Sequence, residues 1–317
     1  MATQNIPIPV MNSKILDSLD RGDIKTAQDA STDFTRLQIR EESFAFKILP
    51  PEKATDDMLV PALDHNQLQI LWEVEPDGPG SKWVPLQTIP DTEYITGSRY
   101  VIPFARLLTP KFVKDIDELR TTRQDIRKIL TDNSIKDALA EYDAKFIDTV
   151  NSIVFDAAGP NLPQNKTGKV QWYSTTEPLN RSTFAEAKKL LPRGNSNGKL
   201  RLRNYIALLN DVTAQDLLKQ PFYDVGAVAE ETWKNGLTTD TVMGVKTIYT
   251  IKSDLVPDNT VYFFAAPEFL GKAFYLTDWT MYMKKEAYFI EMYSYWLGGL
   301  AFGNVAAMAV AQFNQNS

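Results

Sequence analysis

The chain carries apolar residues at two different periods, and its longest helical run lies between Thr109 and Val154. Behind the start signal Thr109-Pro110, apolar positions fall at Phe112, Ile116, Leu119, Ile126 and Leu130, the three-and-four spacing of one helical face. The polar interruption Thr131-Asp132-Asn133-Ser134 resets the phase, and the pattern resumes at Ile135, Leu139, Tyr142, Phe146, Val150 and Ile153. This predicts one long helix with a phase break, or two helices end to end, with a kink or helix end at Asp132 to Ser134. At about 1.5 Å per residue either version is tens of Å long and would act as a spine. Asp115, Glu118, Asp125 and Asp132 form its expected wet face.

Upstream, Met1 to about Arg40 shows no sustained period and reads as an arm. Ser43 to Leu49 alternates Phe44, Phe46 and Ile48 against Ala45, Lys47 and Leu49, which predicts a strand stopped by Pro50-Pro51. Leu68 to Glu75 alternates again, Pro76 to Ser81 is a turn signal, and Lys82 to Ile89 is the expected partner strand. Arg99 to Leu107 is extended and leads into the spine. The segment from about Pro50 to Tyr100 is thus a proline-rich hairpin excursion. A two-stranded hairpin is marginally stable alone in water, so it lies against a neighbouring subunit or folds as an ordinary sheet onto its own core.

Beyond the spine, Ala157 to Lys169 reads as a loop, followed by short helices at Ser182 to Leu191 (capped by Asn180 or Ser182), Thr213 to Lys219 and Val225 to Asn235. Gly244 to Lys252 and Thr260 to Ala266, around a Pro257-Asp258-Asn259 turn, predict a hairpin or adjacent strand pair. The closing third is aromatic and strand-like up to Gly298-Gly299. Met292 to Phe313 is about as long as a membrane span and lacks charge, but its glycines, Ser294, Asn304 and Gln312 favour a buried strand followed by a buried Ala-rich segment. Segregated helices and strands of this kind indicate an α+β fold.

Composition narrows the function classes. At 317 residues, 44% hydrophobic and 11% aromatic, the chain can build a substantial core. A net charge of −6 argues against a general nucleic-acid or anionic-membrane binder. With no cysteine, disulfides, thiolate chemistry and Cys-based zinc sites are excluded, and Met1 to Asp20 lacks a signal-peptide layout. His65, the only histidine, sits in a polar stretch and reads as a surface-loop residue. Gly194 to Leu200 misses the phosphate-loop pattern by one residue and by the absent hydroxyl after Lys199. The acidic pairs Glu41-Glu42, Asp56-Asp57 and Glu230-Glu231 read as solvated surface. No catalytic, cofactor or metal site emerges.

One charge feature stands above this background. Arg181, Lys188, Lys189, Arg193, Lys199, Arg201 and Arg203 face a single acid, Glu186, in an acidic protein. Lys199 to Arg203 alternates, which would place three cations on one strand face with Leu200 and Leu202 behind. A subunit contact against an acidic surface, a merely solvated face and a DNA-facing patch all fit. The last ranks third because no aromatic stacking motif is interleaved.

The order of segments, from polar arm through hairpin excursion, long helix and small mixed domain to aromatic return strands, resembles the major capsid (major head) proteins of tailed bacteriophages. Their Hong Kong 97-type capsid fold is shared with encapsulins. Asp278 to Tyr293 running into Gly298 to Phe313 carries the resemblance, and Val261 to Pro267 looks like the axial-domain strand that precedes this return. The resemblance implies an N-terminal arm at 1–42, an extended hairpin loop with flanking strands at 43–108 and a peripheral-domain spine helix at 109–160. It further implies an axial domain at 161–271, peripheral return strands at 272–297 and a C-terminal axial strand at 298–317. The implied function is structural and non-enzymatic: hexamers and pentamers of the chain form an icosahedral head shell around double-stranded DNA. Scaffold, portal and decoration proteins would be further partners, with at most weak non-specific DNA contact and no membrane. The implied location is the virion, after assembly in the host cytoplasm. An encapsulin-like nanocompartment is the near alternative. A soluble α+β enzyme or ligand-binding protein is the alternative from another class.

Overall fold

Two antiparallel-rich sheets, one long helix and a few short helices make up the described residues. The computed structural model describes residues 43–61, 67–74, 83–86, 92, 97–115, 126–158, 171–194, 202–216 and 241–314. The expected arm, His65, Glu41-Glu42, Glu230-Glu231, the 225–235 helix and the 195–200 loop lie outside these residues.

The chain enters through a short helix, α1 (Phe44–Ile48), where sequence alternation predicts a strand. Four of the five apolar residues from Phe44 to Leu49, namely Phe44, Ala45, Ile48 and Leu49, are buried, and these lie on both sides of any two-residue period. Ser43 accepts a hydrogen bond from the Phe46 amide and so caps the helix, and Pro50 follows its end. Short strands β1 (Glu52–Lys53) and β2 (Leu59–Pro61) lead to β3 (Leu68–Val74), β4 (Ser98–Leu108) and β5 (Phe112–Asp115).

Two expectations about this region are corrected. The partner of β3 is β4, with Val74 opposite Ser98 and Gln69 opposite Pro103, while Trp83 to Leu86 form no strand. The strand β5 occupies the expected first helical turns after Thr109-Pro110, because Phe112 to Asp115 pair with a distant strand, Met292 to Phe289. Asp115 therefore lies on a strand and not on the wet face of a helix.

The long helix α2 is Ile126–Ala158, 33 residues or about 50 Å. It is continuously helical across Asp132 to Ser134, so no helix end falls there. Asp, Asn and Ser in a helix interior cost only a few tenths of a kcal/mol each, too little to stop propagation when tertiary packing holds the flanks. The buried stripe Ala138, Leu139, Tyr142, Phe146, Ile147, Val150 and Val154 faces the largest core cluster.

Downstream come β6 (Trp172–Ser174), α3 (Arg181–Lys188), α4 (Leu190–Gly194), β7 (Ile206–Asn210), α5 (Asp211–Asp216), β8 (Thr241–Val242), β9 (Val245–Thr250) and β10 (Thr260–Phe264). Asn180 and Thr183 form a reciprocal capping box at the start of α3. The turn α6 (Pro267–Leu270) precedes the long strands β11 (Gly271–Glu286) and β12 (Phe289–Phe302), and β13 (Met308–Gln312) closes the chain.

One sheet has the order β1-β11-β12-β4-β3-β2, with β5 also on β12; the other is β6-β13-β10-β7-β9-β8. The expected pairing of the 244–252 and 260–266 strands is corrected, since β7 lies between them, parallel to β9 and antiparallel to β10. In the second sheet, side chains divide strictly by parity. Ile206, Leu208, Tyr262, Phe264, Met308 and Val310 face the α2 core, whereas Ala207, Leu209, Val261, Phe263, Ala309 and Ala311 face a second core under α3 and α4. Helices thus cover both faces, which is why these strands read as continuous apolar runs and not as alternation. Met292 to Phe313 belongs to β12, a short 3-10 turn and β13. Among the described residues no helix is long and apolar enough to cross a membrane.

Candidate assembly surfaces

The β3–β4 hairpin is weakly anchored by its own chain. Its core is small: Ile70, Ile102 and Phe104 pack with Ala54 and Phe274 at the base. Along the stem Leu68, Leu71 and Val101 are exposed, and the Arg99–Glu73 ion pair at 3.0 Å is solvated and contributes little. Beyond the stem, Trp83 and Leu86 are 104% and 98% exposed, with Val84 half-exposed beside them.

The base of this hairpin is fixed to the body by close backbone approach. A Cβ on Gly299 would lie 2.5 Å from the Pro103 carbonyl oxygen, and one on Gly298 2.7 Å from that of Phe274. The glycine pair is what lets β12 run between β11 and β4 at this point.

Where the chain enters, a buried carboxylate ties three segments together. The Asp143 side chain on α2 is fully buried; its Oδ1 accepts from the Ser43 hydroxyl at 2.7 Å and the Ala45 amide at 3.2 Å, and its Oδ2 meets Lys252 Nζ at 2.6 Å. Lys252 also lies over the Phe44 ring at 5.7 Å. Three elements far apart in sequence therefore meet at one charge.

Beside this node, Phe46, Pro50, Leu107, Leu139, Tyr142 and Trp296 line an apolar cavity of about 240 Å³. Tyr142 packs edge-on against Phe46 and Trp296, at 4.6 and 5.4 Å between ring centres. Burial pushes its hydroxyl pKa up, with the Asp143 charge adding, and that hydroxyl has no hydrogen-bond partner among the described residues. Burial likewise pushes Tyr100, whose ring would meet a Cβ on Gly303, up to about 12.

The basic residues are only partly brought together. Lys188, Lys189 and Arg203 line one open groove with Asn204 and Gly244. Lys188 Nζ donates to the Met243 carbonyl at 2.6 Å, and Lys189 pairs with Glu186. Arg181 lies exposed in the first turn of α3, away from that groove. Arg193 is in α4, and Lys199 and Arg201 fall outside the described residues. The expected strand at 199–203 is corrected for its described end: Leu202 and Arg203 are in irregular backbone, Leu202 buried and Arg203 exposed. Asp56-Asp57 form an exposed 3-10 turn. Among the described residues no cluster of His, Asp or Glu could hold a metal ion. Both the Asp143 node and the apolar cavity escaped sequence reading, since their residues span 43 to 296.

No family model matches this sequence, and no curated protein does. Solved structures do. The capsid structure of the cyanophage P-SCSP1u is 10% identical with a TM-score of 0.54, covering 87% of this chain and 93% of that one. A chain from Microbacterium phage Oxtober96 is 11% identical with a TM-score of 0.58, covering 86% and 91%. The mature capsid of bacteriophage PhiM1 gives 12% identity and a TM-score of 0.51 over 80% and 84%. The mixed α+β fold of this chain is the fold of tailed-phage capsid subunits.

Proposed function

We propose that this protein is a major capsid protein, a structural subunit whose copies assemble into the icosahedral head of a tailed phage. One observation carries the reading: a hairpin with a minimal core of its own ends in fully exposed Trp83 and Leu86, on a fold shared with phage capsid structures over most of the chain. The outer part of such a hairpin, beyond that core, gains stability by burial against another copy.

In this reading residues 1–42 are the N-terminal arm, 43–108 the extended loop and its flanking strands, and 109–160 the peripheral segment whose helix α2 is the spine. Residues 161–271 form the axial domain, 272–297 the peripheral return and 298–317 the final axial strand, in the Hong Kong 97-type arrangement. The partners are further copies in hexamers and pentamers, with scaffold, portal and decoration proteins joining them. The location is the virion, reached from the host cytoplasm. The basic groove of Lys188, Lys189 and Arg203 serves as a subunit contact against an acidic surface; Arg181, Arg193, Lys199 and Arg201 complete its basic segment in sequence.

The test exploits the Val74–Ser98 pairing. Replacing residues 75–97 with Asn-Gly closes the hairpin in a two-residue turn and removes its outer part. The expected result is a folded subunit with unchanged far-UV circular dichroism that forms no shells. Shells of wild-type size from this variant would refute the role of the hairpin.

A further inference from the structure

An exposed tryptophan and an apolar cavity occur on the same chain, and the two do not meet within it. Trp83 is fully exposed, so it does not fill its own subunit's cavity. Leu107 lines that cavity, while Ser98 lies nine residues, about 30 Å, up the same strand, and Trp83 follows on the far side of the Val74–Ser98 pair.

We propose that the cavity between α1, α2 and the base of β4 receives the Trp83 side chain of a second copy of this chain, with Leu86 seated on its rim at Pro50-Pro51. The inference rests on the shell reading above and names the receiving site within it. Shape and chemistry both support it. Phe46, Tyr142 and Trp296 already form an edge-on aromatic cluster, to which an indole adds a further ring. Asp278 in the wall carries a carboxylate whose Oδ1 accepts from the Trp279 amide at 2.8 Å; a carboxylate takes more than one donor, so an indole N–H, a donor only, can share it. The Tyr142 ring lines the cavity, while its hydroxyl is buried with no hydrogen-bond partner among the described residues.

Area sets the rank of the contact. One tryptophan buries roughly 150–250 Å², against about 1,200–2,000 Å² for a stable interface, so Trp83 is the central anchor of a larger contact. The exposed Leu71 and Val101, opposite each other in the ladder, form an apolar patch on one face of the stem.

The absence of cysteine makes the test direct. Leu86→Cys and Pro51→Cys, combined in one chain, assembled and treated with a mild thiol oxidant, give covalently linked subunits on a denaturing gel; either single variant gives none. Trp83→Ala keeps the wild-type circular dichroism spectrum and needs about 30-fold more protein to assemble. Ala138→Phe, which fills the cavity from within, produces the same defect, and combining it with Trp83→Ala adds no further loss. Double-cysteine shells that stay unlinked, or Trp83→Ala shells forming at the wild-type concentration, overturn the proposal and leave the shell reading intact. Wild-type protein that forms no shell overturns both.

Discussion

Removing the Asp143 carboxylate tests whether one buried charge holds the chain entry, the long helix and the 251–253 loop together. Asp143→Ala leaves the fully buried Ser43 hydroxyl and the Ala45 amide without their acceptor. Each such orphaned group costs about 1–3 kcal/mol. Lys252 keeps about a quarter of its side chain in solvent and can turn outward, so its half of the pair adds only a discounted amount. The total is about 3–5 kcal/mol, the range found on breaking a buried ion pair. At about 2 °C per kcal/mol for a chain of this size, the melting temperature falls by roughly 6–10 °C. Asp143→Asn retains an acceptor for Ser43 and Ala45 and loses about half as much. The assay is calorimetry and circular dichroism melting of unassembled subunits, because shell contacts would add stability by mass action. A double-mutant cycle of Asp143→Asn with Lys252→Met should return a coupling above about 1 kcal/mol. An Asp143→Ala melting temperature within 1 °C of wild type would refute the reasoning.

Gly299→Ala forces a methyl to 2.5 Å from the Pro103 carbonyl oxygen, a backbone atom that cannot swing aside. It should destabilise by about 2 kcal/mol or more, read by urea unfolding, and loosen the β12–β4 pairing seen by hydrogen exchange. Tyr100 holds its proton up to about 12 against an ordinary value near 10, so the unfolded chain releases that proton first as pH rises. Stability is unaffected below about pH 10 and falls from there to about pH 12; Tyr100→Phe should flatten part of that fall in alkaline urea titrations. Buried Tyr142 and Tyr262, also raised, supply the remainder. Reversing the basic groove with Lys189→Glu and Arg203→Glu should change monomer stability by less than about 0.5 kcal/mol while weakening the salt dependence of assembly; unchanged assembly at every salt concentration would leave the groove merely solvated.

Elements with a local signature were legible in the sequence, and those made by distant partners were not. The alternation of Leu68 to Glu75 announced β3 and the extended stretch Arg99 to Leu107 announced β4, though not that the two pair. Asn180 announced α3 through its cap. Phe44 to Ile48 misled because its buried residues, Phe44, Ala45 and Ile48, follow no two-residue period, and the deciding contact, from Ser43 to Asp143, spans a hundred positions. Phe112 to Asp115 matched a helical spacing and yet became a strand, since β12 offers them a ladder that no local pattern encodes. The insertion of β7 between β9 and β10 is likewise a non-local choice. Asp143 carried no signal in the sequence, and only the fold shows that it is buried.

The central claim is that the product of this chain is a shell. Electron microscopy of the purified full-length protein, across salt and concentration, tests it most directly. The account predicts closed icosahedral particles or their hexamer and pentamer building blocks, with the β3–β4 hairpin lying across a neighbouring subunit. A particle population of monomers and dimers alone under every condition would contradict it.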